Sequence, residues 1–110
     1  MNTPNAAVDF IVKNSPDFAK AKAKRIYLEE FRKSKKALLM KNAMRNGIEA
    51  ANAQEREAYS HPEYLELLDG LAAATEIEEE LKWKLEAARL RIDIWKTETY
   101  NNRMQDKAMA

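Results

Sequence analysis

The sequence has no cysteine, a single histidine and only two glycines among its 110 residues. Without cysteine there can be no disulfide, thiolate nucleophile or Cys-ligated metal, and we expect a reducing compartment such as the cytoplasm. No apolar run approaches the ~20 residues that a membrane-spanning helix needs. The first residues, MNTPNAAVDFIVKN, have no basic stretch before their short apolar patch, so we expect no secretory signal.

Motifs that would indicate an enzyme are also missing. There is no glycine-rich phosphate loop, no GxSxG turn and no HExxH pair. His61 lies beside Pro62, where we expect it to cap a helix or to be exposed. Glu76, Glu79 and Glu80 form a solvated acidic run rather than a metal cage. We therefore predict a protein that is not an enzyme and that has no cofactor and no metal site.

The residues that are present favour long helices. Charged residues make up 34% of the chain and aromatic residues 8%, which is typical of coiled coils and extended helices. At this length we expect one domain. A pair of long helices has a narrow core, and oligomerisation commonly compensates for a small core.

Each of the three prolines follows a hydroxyl residue at short distance. A Ser or Thr side chain can cap the first turn of a helix, and proline is tolerated in that turn because its missing N–H has no helical partner. These sites predict three helix starts. They are Thr3-Pro4, Ser15-Pro16 and Ser60-His61-Pro62.

We predict an all-α fold in which most of the chain forms a long, coiled-coil-like antiparallel helical hairpin. A short N-terminal helix or arm covers residues 1–14, the hairpin covers 15–104 with its turn near 58–62, and residues 105–110 form a loose tail. Asn46-Gly47 is a weaker candidate for the turn, because the alanines and glutamates that follow favour continued helix.

The second long helix carries a heptad seam, since inward-facing candidates recur every three and four residues. They are Tyr64, Leu67, Leu71, Ala74, Glu78, Leu81, Leu85, Ala88, Ile92 and Trp95. The apolar residues of the first long helix drift away from a strict heptad. A turn near residue 60 pairs its members Leu28, Phe31 and Leu38 with Ile92, Ala88 and Leu81, and it places Glu78 opposite Lys41 and Arg45.

A second apolar stripe lies on the same helix, formed by Trp83, Ala87, Leu90 and Ile94. A helix that is apolar on two sides is buried on two sides. Three coverings are open: the N-terminal helix with Val8, Phe10 and Ile11; a second copy in a homo-oligomeric helical bundle; or a groove for another protein.

Charge is segregated along the chain although the net charge is +1. Lysine and arginine dominate residues 13–45 and acids dominate 49–80, so a turn near residue 60 predicts opposite charge at the two ends of the hairpin. The basic residues form a solvated surface, a nucleic-acid contact or a dock for an acidic protein. The candidates for nucleic-acid contact are Lys20, Lys24, Arg25, Arg32, Lys35 and Lys36.

Two stretches resemble small helical accessory proteins of temperate tailed bacteriophages, of the kind encoded in early recombination and replication regions. They are SPDFAKAKAKRIYLEEFRKSKKALLM (15–40) and LEAARLRIDIWKTETYNNRM (85–104). The resemblance implies a cytoplasmic protein of the infected host cell that bridges proteins in DNA recombination or replication. The alternative is non-specific binding of nucleic acid by the basic open end of the hairpin.

Overall fold

The fold, given by a computed structural model that describes residues 3–109, is an all-α antiparallel helical hairpin. Helix α1 runs Pro4–Arg45, α2 runs Ala51–Ser60 and α3 runs Pro62–Met109. Outside these helices the described chain contains only residue 3, the segment 46–50 and residue 61. The predicted fold class is confirmed, whereas several predicted boundaries are wrong.

Thr3 caps α1 as the sequence predicts. Its hydroxyl Oγ1 accepts a hydrogen bond from the backbone N–H of Ala6 at 3.1 Å. Pro4 is the first helical residue, where its missing N–H costs little.

Pro16 does not start a helix but lies inside α1. The neighbouring polar side chains bond the preceding turn: Asn14 Nδ2 donates to the carbonyl of Phe10 at 2.9 Å, and Ser15 Oγ donates to that of Ile11 at 2.5 Å. Such side-chain bonds to the residue four positions earlier are common inside helices, and proline at position 16 removes the N–H that would pair with the carbonyl of Val12. The predicted separate arm over residues 1–14 is therefore wrong, because α1 is continuous through Pro16.

The chain reverses after α1, at Gly47. Its φ of 96° lies in the left-handed region that favours glycine. The Gly47 N–H donates to the carbonyl of Met44 at 3.1 Å, and the Ile48 N–H donates to that of Ala43 at 3.0 Å. This pair of bonds is a Schellman motif, which terminates a helix. The predicted turn near 58–62 is thus wrong, and the rejected Asn46-Gly47 site ends the helix.

His61 separates α2 from α3 without reversing the chain. Its Nδ1 accepts a hydrogen bond from the backbone N–H of Glu63 at 3.1 Å, so the imidazole caps α3 and the predicted capping role is confirmed. Ser60 instead closes α2, since its Oγ donates to the carbonyl of Arg56 at 2.9 Å. The hydroxyl of Ser60 therefore does not cap the helix that begins at Pro62, although the sequence predicts that it does.

The C-terminal segment is helical as far as Met109. The loose tail predicted for 105–110 is therefore wrong for residues 105–109. Residue 110, and the first two residues of the predicted N-terminal arm, lie outside the described residues.

The chain divides into two compact units. Unit 1 comprises Met1–Ala19 and Glu79–Ala110, and unit 2 comprises Lys20–Glu78. Within each unit the α1 and α3 segments run antiparallel. In unit 2 the core is formed by Leu39, Ala58 and Tyr64, with Met40 and Leu68 packed against it. In unit 1 the buried side chains are those of Ala7 and Ala88.

The buried side of α1 is a strict heptad seam that the apolar pattern did not reveal. Its residues recur every three and four positions, and all are buried or half-buried. They are Ala7, Ile11, Asn14, Phe18, Ala21, Arg25, Leu28, Arg32, Lys35 and Leu39. Four of them are polar or charged, so the apolar residues of α1 taken alone drift away from the heptad.

The predicted seam agrees with the burial of α3 from Tyr64 to Ile92, is wrong for Trp95 and is partly wrong on α1. Every predicted α3 position from Tyr64 to Ile92 is buried or half-buried, while Trp95 is 45% exposed. On α1, Leu28 is half-buried, but Leu38 is 56% exposed and the neighbouring Leu39 is buried in its place.

The predicted pairing between the helices is wrong because the turn lies earlier in the chain. Phe31 borders Leu67 and Gly70 rather than Ala88. The same shift displaces the pairings predicted for Leu28 and Leu38.

Candidate interaction surfaces

A charged pair within the unit 2 seam fixes the register of the two helices. Arg25 donates from Nε to Glu78 Oε2 at 2.6 Å and from Nη2 to Oε1 at 3.0 Å, and its Nη1 donates to Glu29 at 2.9 Å. The Glu78 side chain is only 9% exposed. The hydrogen bond to Glu78 raises the pKa of Arg25 further above its usual value. Glu78 does meet a cation, but the predicted partners Lys41 and Arg45 are wrong.

Two further ion pairs connect the basic segment of α1 to the acidic segment that follows it. Lys35 Nζ lies 3.4 Å from Glu63 Oε2, and Lys36 Nζ lies 3.2 Å from Glu55 Oε1. Lys36 also lies 4.6 Å from the ring centroid of Tyr59. Hydrogen bonding to Tyr59 and Glu55 raises the pKa of Lys36. Opposite charges therefore lie side by side in unit 2, and the predicted separation of charge to two ends is wrong.

The six predicted nucleic-acid contacts do not form one free basic face. Arg25, Lys35 and Lys36 are in the ion pairs described above. Arg32 is half-buried in the seam. Lys20 and Lys24 are exposed and remain available for an electrostatic contact.

The predicted partner stripe on α3 is exposed. Trp83 is 62% exposed, Leu90 48% and Ile94 56%, and Ala87 between them is exposed as well. The only ring contact recorded for Trp83 within residues 3–109 is with Lys82, whose Nζ lies 5.7 Å from the ring centroid. Of the three coverings considered, the N-terminal helix is thus wrong, whereas a second copy or another protein stays a prediction.

The N-terminal part of α1 instead contributes to a groove in unit 1. Ile11 and Phe18 line it together with Leu85, and the cavity measures about 280 Å³. Its rim is charged and is formed by Lys82, Glu86 and Arg89. The sequence did not reveal this groove, because Ile11 and Phe18 were assigned to different helices.

The rim of this groove is held in place by ion pairs. Arg89 forms a two-point contact with Glu86 and donates from Nη1 to Asp93 Oδ2 at 3.1 Å. The hydrogen bond from Arg89 lowers the pKa of Glu86 below its ordinary value of 4.5. The groove is therefore apolar inside and carries fixed charges of both signs along its edge.

A second groove, of about 320 Å³, lies in unit 2. Its lining residues are Phe31, Lys35, Glu63, Glu66, Leu67 and Gly70. Tyr27 stacks on Phe31, with ring centroids 5.9 Å apart and planes inclined by 7°. Tyr27 is 65% exposed and Phe31 36% exposed. Sequence reasoning missed this surface because it placed Phe31 in the hairpin seam.

The acidic run of α3 contributes no metal centre within residues 3–109, where no three His, Asp or Glu side chains are placed to hold an ion. Glu80 in that run pairs with Lys84 at 3.0 Å.

None of the helices described between residues 3 and 109 combines the length and the apolar character that crossing a membrane requires.

Comparison with known proteins identifies no relative: no family model, no curated protein and no solved structure matches the chain. The exposed stripe on α3, the two grooves and the exposed lysines are therefore the features that bear on function.

Proposed function

We propose that the protein is a non-enzymatic helical adaptor that binds another protein through unit 1. The observation that carries the proposal is the exposed stripe of Trp83, Leu90 and Ile94 on α3. Contiguous exposed apolar surface commonly marks a protein-binding site in a soluble chain. Tryptophan is also one of the residues enriched among those that dominate the free energy of binding at such sites.

The neighbouring groove suits an amphipathic helix from the partner. Helical peptides bind grooves by inserting apolar side chains while their polar residues meet a charged edge. Here Ile11, Phe18 and Leu85 supply the apolar floor, and Lys82 and Arg89 supply part of the rim. Because the rim carries charges of both signs, it favours a partner helix whose flanking residues carry the complementary charges.

The resemblance to temperate-phage accessory proteins suggests the biological process in which the adaptor acts. It supports a role in the cytoplasm of the infected bacterial cell, where the adaptor bridges proteins of DNA recombination or replication and acts as a homo-oligomer.

Capture from phage-infected cells followed by reconstitution tests the adaptor proposal. A partner captured with the wild-type chain is identified, purified and titrated against wild type, Trp83→Glu and a control, Ala72→Glu. Ala72 is an exposed position of the same helix in unit 2. We expect Trp83→Glu to weaken binding by at least about tenfold and Ala72→Glu to leave it unchanged. A purified partner that binds all three chains equally contradicts the proposal.

The alternative function, non-specific binding of nucleic acid, is favoured by the exposure of Lys20 and Lys24, which lie about two turns and one turn of helix before Tyr27. Lysines that neutralise phosphates give binding that weakens steeply with salt, and aromatic rings stack on unpaired bases. Titration of a single-stranded oligonucleotide at several salt concentrations tests this function. It requires a steep salt dependence that Lys20→Glu with Lys24→Glu abolishes, and no binding at low salt excludes it.

A further inference from the structure

Unit 2 carries an apolar face that the adaptor proposal does not use. We name it the Tyr27 face, defined by Tyr27, Phe31, Leu38, Gly70 and Ile77. Phe31 and Gly70 border the same groove. Leu38 lies seven residues after Phe31, and Ile77 lies seven residues after Gly70, so each continues the same helix stripe. Leu38 is 56% exposed and Ile77 is 51% exposed.

The charges beside this face differ between its two helices. On α1, Lys20, Lys24 and Lys41 lie on the stripes of Tyr27 and Phe31 and are exposed. On α3, Glu63 and Glu66 border the groove itself. One edge of the Tyr27 face is therefore basic and the opposite edge is acidic.

We propose that the Tyr27 face packs against the same face of a second copy, forming an antiparallel four-helix bundle. A two-fold axis parallel to the helices places α1 of each copy over α3 of the other. The basic edge then meets the acidic edge twice, as an isologous interface requires. An axis perpendicular to the helices would place α1 over α1 and bring lysines together, so the charges select the first arrangement.

The small core of one chain supports a second copy as the occupant, because oligomerisation commonly compensates for a small core. Within residues 3–109 no large side chain is fully buried, so the core of one chain is small.

Gly70 explains how two such faces can approach closely. A Cβ built on Gly70 meets no atom within 4 Å, so the space above it is open. Glycine in a helix interior is unfavourable compared with alanine, and close approach of a neighbouring element is a common reason for its presence. In the proposed bundle, the aromatic pair of Tyr27 and Phe31 from the second copy lies over this open position.

Substitution of Gly70 tests the proposed interface without disturbing the fold of the single chain. Gly70→Gln adds a long uncharged side chain where the monomer has room, and Ala72→Gln adds the same side chain at an exposed position on another stripe of α3. Molar mass is measured by sedimentation equilibrium over a range of concentrations, with helical content measured by circular dichroism. We expect the wild type and Ala72→Gln to have twice the monomer mass of 12.7 kDa, and we expect Gly70→Gln to dimerise at least about tenfold more weakly with unchanged helicity.

Charge reversal tests the orientation of the two copies. The proposed axis brings Lys41 of one copy near Glu66 of the other, so Lys41→Glu or Glu66→Lys alone should weaken the dimer and the double reversal should restore it. A wild-type monomer at high micromolar concentration, or a dimer that Gly70→Gln leaves intact, overturns the proposal. If Trp83→Glu abolishes the dimer and Gly70→Gln does not, the contact lies in unit 1, and this result also overturns the proposal.

Nucleic acid is the competing occupant of the Tyr27 face. A chain that stays monomeric and binds a single-stranded oligonucleotide in a Tyr27-dependent manner overturns the dimer. This result would leave the adaptor proposal standing, because that proposal depends on Trp83 and on unit 1.

Discussion

Adjacent leucines near the end of α1 provide a sharp test of which side of that helix is buried. Leu39 is 3% exposed and packs in the unit 2 core with Ala58 and Tyr64, whereas Leu38 is 56% exposed. Truncation of each leucine to alanine removes the same atoms from the same helix. The two substitutions therefore differ in the burial of the removed side chain and very little in helix propensity.

The expected cost follows from that burial. Removing a buried leucine side chain destabilises a protein by about 2–5 kcal/mol, depending on how far the surroundings collapse. Leu39 lies in a small core beside solvent-exposed positions, so we expect Leu39→Ala to cost about 2–3 kcal/mol, at the lower end of that range. Leu38→Ala should change the unfolding free energy by less than about 0.5 kcal/mol, as is usual for an exposed position.

Urea denaturation followed by circular dichroism measures both costs. With an m-value of about 1–3 kcal/mol/M for a small protein, Leu39→Ala should lower the midpoint by about 1 M or more while Leu38→Ala leaves it almost unchanged. The measurement is repeated at several protein concentrations, because self-association adds to apparent stability. If Leu38→Ala proves the more costly of the two at concentrations where the chain is monomeric, the seam assigned to α1 is incorrect.

Three further predictions concern the glycines, a proline and an ion pair. In thermal or urea unfolding at concentrations where the chain is monomeric, Gly47→Ala should destabilise by about 1–2 kcal/mol because its φ is positive. Under the same conditions Gly70→Ala should stabilise the monomer by up to about 1 kcal/mol, and equal signs would contradict the chain reversal at Gly47. Pro16→Ala should stabilise α1 by about 1–3 kcal/mol in the same assay, since proline is unfavourable inside a helix, and a loss of stability would contradict its interior position. The pKa of Glu86 is lowered by Arg89, so the stability that its charge contributes is present above the ordinary pKa and lost as pH falls through the lowered value. The difference in unfolding free energy between wild type and Glu86→Gln should consequently shrink in acid, and a difference that grows would contradict the pair.

The sequence predicted α3 well because its seam positions are mainly apolar. Residues such as Leu71, Leu81 and Ile92 mark the heptad directly, and their burial is the strongest constraint on the helix. On α1 the equivalent positions include Asn14, Arg25 and other polar residues. A pattern based on hydrophobicity cannot identify a half-buried arginine such as Arg25, since its position in the seam depends on Glu78, far away in the sequence.

The position of the turn was the more consequential error. Composition after Gly47 favours helix, and that segment does form the helix α2, but continuing helix propensity does not distinguish one long helix from two separate ones. The deciding feature is the left-handed conformation of Gly47. A glycine can adopt this conformation, but its presence in the sequence does not show that it does. Moving the turn from residue 60 to Gly47 brings the basic and acidic segments together and exposes the Tyr27 face.

Zero-length cross-linking with a carbodiimide tests the register of the hairpin most directly. The reagent joins a lysine amine to a carboxylate in direct contact, and a chain reversal at Gly47 places Lys35 beside Glu63 and Lys36 beside Glu55, so we expect links between the members of these pairs. Mixing ¹⁴N- and ¹⁵N-labelled protein distinguishes links within one chain from links between copies. If peptide mass spectrometry instead finds Lys35 linked within its own chain to Glu86, the turn lies near residue 60 and this register of the hairpin is wrong.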